Sequence, residues 1–108
     1  MPAEITVQDL AARIREGKPL RIVDVREDWE REIGKLPGDQ HIPMNAVPQR
    51  MAEFKIADGG EVVVYCHAGM RSMMVAGFLE QNGIPGVLSL AGGIEAWSCE
   101  IDPDVPRY

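Results

Sequence analysis

Apolar and polar positions along this chain fall into two alternating periods, which read as helices and strands in turn. After a short strand candidate near Ile5, Val7, Leu10, Ala11 and Ile14 recur at helical spacing. Thr6 caps that helix with Asp9 three residues on, and Gly17 stops it. Leu20 to Val25 is rich in branched apolar residues and meets its first polar groups, Asp24 and Arg26, at its C-terminal end, as a buried strand does. Glu27 to Ile33 predicts a short charged helix ended by Gly34. In the stretch KLPGDQHIP, Pro37, Gly38 and Pro43 leave room only for a brief strand at His41 and Ile42. Pro48 is placed as the first residue of another short helix carrying Met51 and Phe54.

Val62, Val63, Val64 and Tyr65 form an unbroken apolar run, the mark of a central parallel strand covered on both faces, with Cys66 as its last residue. HAGMRS follows, and Met74, Val75, Phe78 and Leu79 then recur at helical spacing until Gly83, so strand passes to helix through a tight loop. A last strand, Val87 to Leu90, leads through Gly92 and Gly93 into a short helix with Trp97 and a proline-interrupted tail, IDPDVPRY. This alternation predicts an α/β fold with a parallel sheet covered by helices on both faces. A length of 108 residues predicts one domain over 1–108, with enough core to need no staples.

Charge and cysteine usage then narrow the function. A net charge of −6 argues against nucleic acid and anionic membrane as partners, since both are bound through positive charge. No apolar run approaches the roughly 18 to 20 residues of a membrane span. MPAEITVQDL lacks a basic-then-apolar signal pattern, so a cytoplasmic protein with reduced thiols is expected. His41, Cys66, His67 and Cys99 fit no structural-zinc spacing, and no metal is expected.

In an open parallel sheet ligands bind beyond the carboxyl ends of the strands, where Cys66 stands. A loop entering a helix aims unpaired N–H groups at one point, and the helix N-terminus adds about half a positive charge. Both favour an anion, which for a cysteine is the nucleophilic thiolate. Arg71 and His67 are the candidate neighbouring cations. Each residue also has a plainer reading. Cys66 is then a small buried hydrophobe, Arg71 a first-turn residue paired with a carboxylate, and His67 an exposed loop histidine. Met70 either lines a pocket or begins the helix, while Met73 and Met74 read as packing residues. Asp24 and Arg26, on a neighbouring strand end, can brace each other and the loop. Trp97 reads as a core anchor and His41 as a hydrogen-bonded surface residue. Cys99 would matter only as a resolving cysteine, which its spacing does not support.

Five segments in order resemble the rhodanese-like family over nearly the whole chain: IVDVRE (22–27), GKLPGDQHIP (34–43), VVVYCHAGMRS (62–72), FLEQNG (78–83) and LAGGIEAW (90–97). The resemblance implies a rhodanese fold, a five-stranded parallel sheet flanked by helices, with Cys66 as sulfur-carrying nucleophile. It implies a persulfide cradle made by His67, Ala68, Gly69, Met70, Arg71 and Ser72. A donor such as thiosulfate would load Cys66, and a thiophilic acceptor, cyanide or a cellular thiol, would take the outer sulfur without a cofactor. Related phosphatases of the cell-cycle type carry a loop one residue longer. The six residues from Cys66 to Arg71 are similar to the sulfurtransferase loop, which leaves phosphatase or arsenate reductase a minor alternative. The alternative from another class is a regulatory module or sulfur carrier that binds a protein partner. Such a partner would present a basic face to this acidic chain. Departures from the family pattern are Lys35 and Leu36 where His and Ile are typical, and Asp39 where Ala is, none expected to touch the loop. Ala68 replaces a larger polar or basic residue, which makes the rim less positive and weakens the preference for thiosulfate over an uncharged donor.

Overall fold

The valine run of Glu61–Tyr65 forms β4, the middle strand of a five-stranded sheet in a computed structural model that describes residues 2–57 and 59–108. In chain order the elements are β1 (Glu4–Ile5), α1 (Val7–Arg15), β2 (Leu20–Asp24), α2 (Asp28–Ile33), β3 (Gln40–His41), β4, α3 (Met70–Gln81), β5 (Leu88–Leu90) and α4 (Gly93–Glu100). Two 3-10 segments, Met44–Gln49 and Met51–Phe54, precede β4. The strand order is β1-β5-β4-β2-β3, and every pairing is parallel. The expected α/β architecture is therefore present.

Alternate residues of a strand face opposite sides, and β4 supplies a core to each. Val62 and Val64 pack with Val23, Phe54, Val75 and Leu79 on one face, and Cys66 continues that side. Val63 and Tyr65 pack with Leu10, Ile22, Leu36, Leu90, Ile94 and Trp97 on the other. Both faces being covered explains why the run is apolar without alternation. Trp97 is a core anchor as expected, although its indole N–H is buried without a hydrogen-bond partner among the described residues. Among the described residues no helix is long and apolar enough to cross a membrane.

Local capping follows the sequence closely. The Thr6 hydroxyl accepts the Asp9 N–H at 3.1 Å at the head of α1. At α2, Glu27 and Glu30 form a reciprocal capping box.

Several expectations shift. Pro48 lies inside the first 3-10 segment instead of opening a helix. With no N–H to donate at Pro48, single turns closed by Ala46 N–H to Pro43 and Arg50 N–H to Val47 replace an α-helical ladder. The brief strand is one residue earlier than expected, at Gln40–His41, because Ile42 turns into the core while its N–H bonds the Asp24 carbonyl. β4 ends at Tyr65, so Cys66 is the first residue beyond the strand. Ile14, Met74 and Phe78 share their helices' apolar spacing but are exposed. On α3 the buried stripe is Ser72, Val75, Ala76 and Leu79, which turns Met74 outward instead of making it a packing residue.

Candidate active site

Cys66 leaves the end of β4 into a loop that Gly69, with φ of 110°, turns into α3. Its sulfur sits where the loop amides converge. The Gly69 N–H donates to Sγ at 3.1 Å and the Ser72 N–H at 3.4 Å. The thiol in turn donates to the Ser72 hydroxyl at 3.5 Å. That hydroxyl lies 2.8 Å from the Ser89 hydroxyl, and both serines are buried. With only 1% of its surface exposed, Cys66 is held under backbone donors at the head of a twelve-residue helix.

A second helix braces the same loop from behind. The N–H groups of Ile94 and Glu95, in the first turn of α4, donate to the carbonyls of Cys66 and His67, each at 3.0 Å. This close approach depends on glycine. A Cβ on Gly93, whose φ is 59°, would lie 2.5 Å from the Cys66 carbonyl and 2.4 Å from that of His67. A Cβ on Gly69 would lie 3.3 Å from the Gly92 nitrogen. The segment LAGGIEAW therefore supplies backbone contact with the loop.

Arg71 does not stand free beside the sulfur. Its two terminal nitrogens grip Glu30 at 2.7 and 2.8 Å, so the carboxylate pairing open from the sequence is present. Glu30, itself 2% exposed, also accepts the Tyr108 hydroxyl at 2.6 Å. The Arg71 hydrogen bonds, partly opposed by burial and helped by Tyr108, hold the Glu30 carboxyl down to about 2. A carboxyl lowered in the folded state contributes stability above its ordinary 4.5 and loses it as pH falls through about 2. Acidification from pH 5 to 2 is therefore expected to cost wild type on the order of 1–2 kcal/mol more than Glu30→Gln, measured by denaturant unfolding across that range.

Tyr108 joins the two sides of the mouth. Its ring stacks on His67, with centroids 4.1 Å apart and planes 16° apart, and Trp29 meets it edge-on at 5.9 Å. Its hydroxyl accepts from Arg26 at 3.0 Å while donating to Glu30. Burial, followed by that bond to Glu30, raises its hydroxyl to about 12. Arg26 and Asp24 are fully buried and pair through two 2.9 Å contacts. Burial would lower the Arg26 guanidinium, but its hydrogen bonds to Asp24 and Tyr108 outweigh that and raise it. The pair does not bond the loop directly. It reaches Arg71 by way of Tyr108 and Glu30.

The remaining candidates separate clearly. His67 contacts Tyr108 and lies 3.7 Å from Glu95, while Ala68 and Met70 are exposed at the mouth. Met70 begins α3. Cys99 is exposed on α4, its thiol 3.7 Å from Glu95. His41 bonds the Arg26 carbonyl at 2.7 Å. Beside the loop lies a cleft of about 660 Å³ lined by Val25, Glu27, Asp28, Pro43, Met44, Asn45 and Arg71.

Sequence reasoning missed Glu30, Tyr108 and Ser89. Asp39 makes its contacts away from the loop, as expected, pairing with Arg31 at 2.7 Å and accepting the Tyr65 hydroxyl at 2.6 Å. Glu30 had a local signal, its capping spacing from Glu27. Tyr108 and Ser89 meet their partners only through the fold.

A five-stranded parallel sheet that presents one buried cysteine under the amides of a helix head defines a thiol-centred α/β protein. Residues 6–100 match the model of the rhodanese-like domain, and the chain belongs to the rhodanese-like family. It is similar to a protein named sulfurtransferase from Allochromatium vinosum, with 37% identity over 98 residues covering 91% of this chain and 90% of that one. It is also similar to the putative sulfurtransferase YtwF of Bacillus subtilis, at 36% identity over 93% of this chain and 94% of that protein. A solved rhodanese-like domain protein from Staphylococcus aureus matches with a TM-score of 0.78 and 35% identity, covering 88% of this chain and 90% of that one.

Proposed function

We propose that this chain is a sulfurtransferase that carries sulfane sulfur as a persulfide on Cys66, from a donor such as thiosulfate to a thiophilic acceptor such as cyanide or a cellular thiol. The observation that carries this reading is the convergence of the Gly69 and Ser72 N–H groups on Cys66 Sγ. In the first step the Cys66 thiolate attacks the outer sulfur of thiosulfate, the S–S bond breaks and sulfite leaves. In the second the acceptor attacks the outer persulfide sulfur, thiocyanate or an organic persulfide forms, and the thiolate returns. No cofactor enters. Loop residues 67–72 cradle the outer sulfur, and Arg71, held in place by Glu30, steadies its negative charge. Asp24 and Arg26 keep that arrangement in place through Tyr108.

One observation favours a carrier variant of this reading, in which the donor or acceptor is a protein. Met70 and Met74 stand 78% and 57% exposed on the first turns of the helix that follows the loop, where a docking partner would cover them.

Intact-mass spectrometry tests the proposal. Wild type is expected to gain one sulfur atom from thiosulfate or an organic persulfide and to lose it, with thiocyanate formed, when cyanide is added. A chain that gains sulfur from no sulfane donor overturns the reading, and phosphatase substrates become the next to try.

A further inference from the structure

The carboxylates beside the loop bear on which donor the site selects, an inference that rests on the sulfurtransferase reading above. A cleft of about 660 Å³ is large enough for a small organic ligand. Its lining joins apolar Val25, Pro43 and Met44 to Arg71 on the loop side and to Glu27 and Asp28 at the head of α2.

The charges of that lining do not balance. Arg71, besides facing the outer sulfur, is matched one for one by its bidentate pair with Glu30, so it adds no net positive charge to the lining. The other guanidiniums of this region are matched as well: Arg26 to Asp24, Arg31 to Asp39 and Asp24, and Arg107 to Glu95. Glu27 and Asp28 take part in none of these pairs. Glu27 accepts the Trp29 indole N–H at 3.2 Å and caps α2. The Asp28 side chain is 94% exposed, with the His41 ring 3.5 Å away. Ala68, exposed at the mouth, brings no positive charge. The lining of the cleft beside the Cys66 loop is thus net negative, which raises the cost of bringing in a dianion and lowers that of a cation.

We propose that Glu27 and Asp28 select the sulfur donor by charge, so that the cleft takes an organic persulfide bearing an ammonium group, an aminothiol persulfide, in preference to thiosulfate. The ammonium faces the two carboxylates, and the carbon chain lies along Val25, Pro43 and Met44. The Cys66 thiolate attacks the outer sulfur of R–S–SH and the bond between the two donor sulfurs breaks. The leaving thiolate takes up the proton that the transferred sulfur carried, so the products are Cys66–S–S⁻ and R–SH. The sulfur moves without change in oxidation level, and no external oxidant or reductant is consumed.

The test compares loading of Cys66 by cysteamine persulfide, N-acetylcysteamine persulfide and thiosulfate, in wild type and in the double variant Glu27→Gln/Asp28→Asn. Each glutamine or asparagine keeps an oxygen acceptor, and circular dichroism with thermal melting confirms that the variant folds. At low salt wild type is expected to prefer the ammonium donor over its acetylated analogue by roughly tenfold in kcat/KM, with thiosulfate behind both. In the double variant that ratio is expected to fall to within about twofold of unity, and added salt should erode the wild-type preference in the same direction. Equal use of the two cysteamine donors by wild type, or a ratio that the double substitution leaves unchanged, overturns this inference while the sulfurtransferase reading stands. Failure of every donor to load Cys66 overturns both.

Discussion

Cys66→Ser is expected to fold, to gain no sulfur from any donor and to form no thiocyanate, while Cys99→Ser does both at the wild-type level. Serine is close to cysteine in size, and its oxygen still accepts the Gly69 and Ser72 N–H groups that now meet sulfur at 3.1 and 3.4 Å. The cradle therefore survives, and the melting temperature should move by only a few degrees. The chemistry does not survive, because a hydroxyl oxygen cannot hold the transferred sulfur as a persulfide thiolate can, and a loss of about 10³-fold or more in turnover follows. Cys99 lies exposed on α4 with Glu95 as its neighbour, so its removal leaves the cradle untouched. Intact mass and cyanide turnover on both variants check this. Sulfur retained by Cys66→Ser and lost from Cys99→Ser would move the carrier to the wrong cysteine.

The second large effect lies outside the cradle. Gly93→Ala is expected to cost about 2–4 kcal/mol and to lower the melting temperature by roughly 10 °C or more, with sulfur transfer falling in parallel. The added methyl would stand 2.4 and 2.5 Å from the carbonyl oxygens of His67 and Cys66, and neither rigid backbone can yield. Relief requires α4 to lift away, which breaks the bonds from the Ile94 and Glu95 N–H groups and leaves two loop carbonyls without donors. Gly17→Ala isolates the backbone-conformation part, and the excess at Gly93 is the steric part. Gly17 has a similar positive φ of 67° but nothing within 4 Å of a Cβ, so it should cost only about 1 kcal/mol. Equal costs at the two positions would show that α4 does not press on the loop as tightly as the contacts imply.

What the sequence made legible was governed by neighbours along the chain. The β4 run, the Thr6 cap and the cysteine at the turn from strand to helix all depend on residues within a few positions, and each lies within a residue of where it was expected. Pro48 was misplaced because a proline suits the first turn of an α-helix and a short 3-10 turn alike. Met74 and Phe78 keep helical period, but period does not say which stripe meets the sheet. Arg71 shows the larger limit. Its partner Glu30 lies on another helix, and Tyr108, which ties Glu30 to Arg26, arrives from a tail that sequence pattern marked only as interrupted by prolines. Pairings of that kind are written in three dimensions, and no local spacing announces them.

The strand order carries a consequence for how the chain is made. β1 has a single neighbour, β5, with Glu4 opposite Ser89 and Ile5 opposite Leu90. On a ribosome β1 therefore waits for its partner until β5 has been translated. The β2–β4 pair can zip together earlier, since both its strands are out by Tyr65. Closure of the sheet thus waits for β5, whose emergence also makes the glycine-bearing turn after it available to clamp the cysteine loop, and the longer loop that this pairing closes costs more entropy than that of the β2–β4 pair.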